Sequence, residues 1–223
     1  ALGRYALHFH HALDGARGSI VRGVAVIGGG SQAFVPHMSH GITFDDCVSV
    51  NSVQSGFWWD KGDATDDCLV DRLCVSGCGA PSHPQPGIMN HVGTGNRMRN
   101  SAVSACEGGK DAAGFDWGSV GVDAPAVWVF DAGNVAHNTK GPGVQFWTNA
   151  SRDHTVKRTL VYHNDKNRGI LTGAYQNTVR YADVLVLGGG IEQSANSGSH
   201  EVDGGPGRYE RVHVVARDGP AVK

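Results

Sequence analysis

Residues 43–48 read TFDDCV and residues 70–75 read VDRLCV, two copies of one pattern: an apolar residue, a few mostly polar ones, then a valine. The pattern returns as VRGVAV (21–26), MRNSAV (98–103), VFDAGNV (129–135), VKRTLV (156–161), VRYADV (179–184) and YERVHV (209–214). The closing valines, Val26, Val48, Val75, Val103, Val135, Val161, Val184 and Val214, are separated by 22, 27, 28, 32, 26, 23 and 30 residues. A fixed coil carrying loops of varying length produces that spread. Within each segment side chains alternate with period 2, not 3.6, so the repeating unit is a strand. The expectation is an all-β chain, a right-handed parallel β-helix of about eight coils.

A second column lies three residues past the valine: Asn51, Cys78, Cys106, Asn138 and Asn164. Asparagine at one repeated turn position bonds its neighbour's amide and the local backbone. Cys78 and Cys106 would then fall on adjacent coils, as would Cys47 and Cys74, either as small core residues or as disulfides. Cys74 and Cys78 have the wrong spacing for a CxxC metal pair. The total of 5 cysteines is odd, so complete internal pairing is excluded.

A third strand follows each turn and opens on a small residue and an apolar one: ALHFH (6–10), AFVPH (33–37), GFWWD (56–60), GIMNH (87–91), GFDWG (114–118), GVQFW (143–147), GILTG (169–173) and GIEQS (190–194). Alternation turns Leu7, Phe34, Phe57, Ile88, Phe115, Val144, Ile170 and Ile191 inward, with Trp59 and Trp117. The residues one and three places beyond that row point outward. Parallel strands lie about 4.8 Å apart, which sets His10, His37, Asp60 and His91 in one outer ladder that His8 joins from its own strand.

Two imidazoles from the HxH pair, with a His and an Asp from following coils, make a three- or four-ligand set for a divalent metal. The spacing does not distinguish zinc, copper, manganese and calcium, although imidazole with one carboxylate suits a transition metal better than calcium. His11 and His40 sit just past their strands and are alternatives to His91. The same face carries Trp58, Asp116, Gln145, Trp147 and Glu192. Tryptophan beside carboxylates fits sugar binding, an aromatic face covering the apolar side of a pyranose; packing under a loop is the other reading. Asp60, His37 and Asp116 are the candidate catalytic groups, Asp60 with a neutral His as base. Arg4, Lys61 and Arg97 are available to neutralise a uronate.

The runs GRYALHFHHA, SQAFVPHMSHGITFDD and VNSVQSGFWWDKGD resemble the β-helical region shared by fibrocystin and the cell-migration-inducing, hyaluronan-depolymerising protein family. The resemblance spans roughly the first 60 residues and fades to repeat-level similarity beyond them. It implies a secreted or extracellular protein that acts on hyaluronan or a related polysaccharide. The matching positions are Arg4, His8, His10, His37, Asp60 and Gly62; His91 has no counterpart in that pattern.

With 33 glycines and 8 prolines in 223 residues and a formal charge of −2, the composition fits a turn-rich β protein. It gives no basic run for a nucleic-acid backbone, and no apolar stretch long enough to span a bilayer. The chain reads as one domain over 1–223. Its start in mid-strand reads as a fragment of something longer.

Overall fold

The computed structural model describes residues 5–59, 64–82, 85–90, 93–107, 112–117, 126–146, 154–164, 168–173, 178–194, 196–197, 200–201 and 207–216. Among these the chain is all β apart from one 3-10 turn, Asp14–Ala16. Every strand pairing among the described residues is parallel except Asn196–Ser197 with His200–Glu201. The strands stack as the expected parallel β-solenoid. The count of coils is approximate: one sheet has eight rungs, while the solenoid makes about six turns.

The first sheet runs in chain order through Leu7–Leu13, Phe34–Ser39, Phe57–Trp58, Ile88–Asn90, Phe115–Trp117, Val144–Phe146, Arg168–Gly173 and Gly190–Ser194. Its register joins Leu7, Phe34, Phe57, Ile88, Phe115, Val144, Ile170 and Ile191 into one column. Seven of these are at most 1% exposed, and Leu7 packs half-buried against the same core. This is the row that alternation places inside. Aromatic rings continue it: Phe44 and Phe57 meet edge to face at 4.9 Å, and Phe57 and Trp59 lie 4.0 Å apart.

The second sheet forms the other two walls. Thr43–Ser52 and Leu69–Cys78 are each 10 residues long because a single left-handed residue turns the chain without ending its pairing. That corner column is Gly23, Asp46, Arg72, Asn100, Gly133, Arg158, Asp183 and Arg211, with φ between 43° and 82°. A second corner follows at Gly28, Asn51, Gly77, Ala105, Asn138, His163 and Gly188. Asparagine and glycine recur there because they enter the left-handed region at the least cost. Beside the first corner, Asp45 is held by Arg22 at 2.8 Å and by Arg72, and Asp71 by Arg99 at 2.7 Å and Asn100 at 2.8 Å.

These corners correct two columns of the sequence reading. The stacked inward position is Val26, Ser49, Val75, Val103, Ala136, Val161, Val186 and Val214. Val48, Val135 and Val184 therefore fall one or two residues out of register. The asparagine column divides likewise: Asn51 and Asn138 are left-handed corners, whereas Cys78 and Cys106 occupy the next, inward position opposite Ser52. Cys47 pairs with Leu73, and Cys74 with Val48 and Ala102. Cys47 is buried and Cys74 exposed, so those two do not form an adjacent pair.

The small residue that opens each third strand also has a cause. A Cβ on Gly56, Gly87, Gly143 or Gly169 would overlap Val75, Val103, Val161 or Val186 respectively. Each glycine makes room for the inward valine of the following coil.

Candidate metal centre

Leu7–Leu13 and Phe34–Ser39 are the first two rungs of the first sheet, and their register sets His10 opposite His37 and His8 opposite Val35. His8 and His10 share the outer side of one strand, and His37 joins them from the next. The ligand nitrogens of His8, His10 and His37 all lie within 4.8 Å of one another. Nitrogens bound to a single zinc at about 2.0–2.1 Å sit about 3.4 Å apart, so small side-chain rotations close the set. His8 and His37 are half-buried and His10 is exposed, which leaves a solvent path to the site.

The rings are ordered by contact. His8 stacks on His37 with centroids 5.9 Å apart and 12° between planes, and Tyr5 meets His8 edge to face at 4.7 Å. His11 lies 4.2 Å from His10 and 4.6 Å from His37. Tyr5 gave no signal in the sequence beyond its nearness to the HxH pair. His40 turns away: its Nδ1 accepts the Asp66 backbone N–H at 3.1 Å and faces the Asp66 carboxylate at 3.8 Å.

The donor chemistry fits a metal. Three imidazoles and no described carboxylate make the group, a set that favours zinc, copper or nickel and disfavours calcium, which takes oxygen ligands. Thiolate ligation has no support among the described residues. Burial pushes the Cys68 thiol up to about 11 and raises Cys47 as well. Cys106 is raised by its hydrogen bond with Cys78 and by burial. Protonated buried thiols are packing groups.

The remaining expected site residues are distributed differently. Trp58 is half-buried on the strand next to His37's, and Gln145 is half-buried beside Asp116. Asp116 is only 7% exposed. It stands three rungs beyond the strand of His37, about 14 Å at parallel-strand spacing, and does not share the metal group. The outer face is also less open than alternation implies: Val35 is 0% and Leu171 5% exposed. Glu192 pairs with Arg168 at 3.2 Å. Arg97 belongs to the second sheet, where it bonds Asp131 at 2.8 Å, and is no part of the histidine face. Arg4, Asp60, Lys61, Gly62, His91 and Trp147 lie outside the described residues.

No family model, curated protein or solved structure matches the chain.

Proposed function

We propose that this protein is a secreted or extracellular carbohydrate-active β-helix that depolymerises a polysaccharide of the uronic-acid or hyaluronan class. Its centre is a divalent metal held by His8, His10 and His37. The convergence of those three nitrogens within 4.8 Å carries the reading. An outward imidazole contributes little to the packed interior, so its clustering with two others calls for a ligand rather than a core. The likeness of the first 60 residues to the hyaluronan-depolymerising family, and Trp58 on the neighbouring strand, support the choice of substrate.

A metal bound there would supply Lewis-acid stabilisation of a uronate or of a developing oxyanion. His8, stacked on His37 and abutted by Tyr5, holds its ring orientation. His10, the exposed member, is the ligand that solvent and substrate reach first. Asp60 is assigned the role of anionic ligand or base on its place in the aligned strands of the sequence.

The second reading is a non-catalytic module that binds sugar or a transition metal. The described group favours it in one respect: it contains imidazoles and no carboxylate to serve as a base. Elemental analysis of tag-free protein, followed by a panel of uronate-containing and neutral polysaccharides, separates the two. Metal together with new chain ends on a uronate polymer establishes the first reading. Metal with no cleavage of any polymer leaves the binding module, and absence of metal removes the metal centre from both readings and leaves only a sugar-binding module.

A further inference from the structure

His10 and His11 are consecutive, yet both rings sit against His37, at 5.0 Å and 4.6 Å. A regular strand forbids this, because successive side chains leave on opposite faces. The register shows how it is achieved. His10 pairs with His37, but the next pairing is Leu13 with Ser39, so one extra residue is accommodated between them. His11 takes the left-handed conformation, φ 52°, as Met38 does directly after His37, φ 44°, so both strands turn just past the paired histidines and the extra residue falls between His11 and Leu13. A left-handed non-glycine residue costs stability and recurs where a side chain must be re-aimed. This corner brings a fourth imidazole against His10 and His37.

We infer that His11 is the fourth nitrogen ligand of this centre and that the complete site selects copper(II). The inference rests on the three-histidine reading of the site and extends it. His11 borders the trio whose nitrogens are already mutually close. It is exposed, so its ring is free to turn onto a shared ion. Four imidazoles form an all-nitrogen set, and among first-row divalent ions such a set holds copper(II) most tightly. The His11 ring stands beside the group whose nitrogens lie within 4.8 Å and outside it, so a turn of its side chain is what would complete the set.

The test uses the full chain without a histidine tag, titrated with copper(II) and with zinc(II) against a chelator and examined by electron paramagnetic resonance. The wild-type protein is expected to bind one copper(II) per chain with the hyperfine signature of four nitrogens, in preference to zinc. His11→Gly keeps the left-handed backbone free of strain. It should still bind copper(II), with a three-nitrogen signature and an affinity lower by about tenfold or more. His11→Asn, which also tolerates that backbone, guards against a folding artefact. If both variants keep the wild-type spectrum and affinity while His10→Ala loses the ion, His11 is no ligand and the three-histidine centre stands. If the wild-type protein binds neither ion, the inference and the centre fall together.

Discussion

His10 and His37 are register partners on adjacent parallel strands, their ring centroids 5.0 Å apart and their planes at 70°. A rigid ladder thus sets their separation, and a metal joining them would cross-link the first two rungs of the sheet. His37→Ala should therefore lower metal content to background while leaving the far-ultraviolet spectrum unchanged. In the wild type, saturation at one hundred times the dissociation constant should add about 2.7 kcal/mol of stability. Thermal unfolding with and without metal reads both effects. A metal-dependent shift that persists in His37→Ala would place the ion elsewhere.

The inward column makes a sharper prediction about the fold. Phe57 is 0% exposed and contacts the rings of Phe44 and Trp59. Phe57→Ala should cost about 3–5 kcal/mol, because the walls of a closed coil cannot collapse far onto the cavity. Trp58→Ala, one residue on but directed outward, should cost markedly less. Equal losses in urea unfolding would mean that the alternation is wrong at this rung.

Gly77 tests the second corner. Its φ is 74°, and a Cβ there would run into Asn51 Oδ1 on the preceding coil. Gly77→Ala should destabilise by about 1–3 kcal/mol through backbone strain and that collision. Adding Asn51→Gly should recover the collision and leave the strain, so the two changes should be non-additive in a double-mutant cycle.

The architecture and the histidine register were both readable because both depend on strict alternation. Leu7 to His10 and Phe34 to His37 contain no bulge before the paired histidines, so counting from the inward residue lands correctly. The valine column was less legible. Ser49 and Ala136 fill inward positions where a valine stands one residue earlier, at Val48 and Val135, and hydrophobicity alone chooses the wrong neighbour. What decides is the left-handed corner, which consumes a residue without breaking the strand; Asp46 or Arg158 in that conformation carries no sequence mark. His11 was readable only as an alternative to His91, since an HH doublet read by alternation sends one ring inward and gives no sign that both rings meet His37. The burial of Asp116 was likewise hidden, because alternation states which way a side chain points and not what covers it.

Two titrating groups, the half-buried His137 and the buried Asp71, predict how stability falls in acid, in separate pH windows. Burial and the neighbouring His163 hold the His137 imidazole below its ordinary 6.5. The folded state therefore resists a proton that the unfolded chain accepts. Its contribution is complete above about 6.5 and declines as the pH falls through the depressed folded value. Burial pushes the Asp71 carboxyl up, but hydrogen bonds from Arg99 and Asn100 and the charges of Arg99 and Arg72 outweigh it, leaving the group below its ordinary 3.8. That contribution is complete above 3.8 and is lost as the pH falls through the folded value of Asp71. Urea midpoints recorded from neutral pH downward should thus show two declines. His137→Phe, which keeps a ring against Tyr162, should remove the first and spare the second. Asp71→Asn should lower stability at neutral pH and flatten the second, since a neutral amide has no charge to lose. A His137→Phe profile that retains its decline just below neutrality would assign that step to other histidines, and an undiminished acid limb in Asp71→Asn would take the carboxylate out of the account.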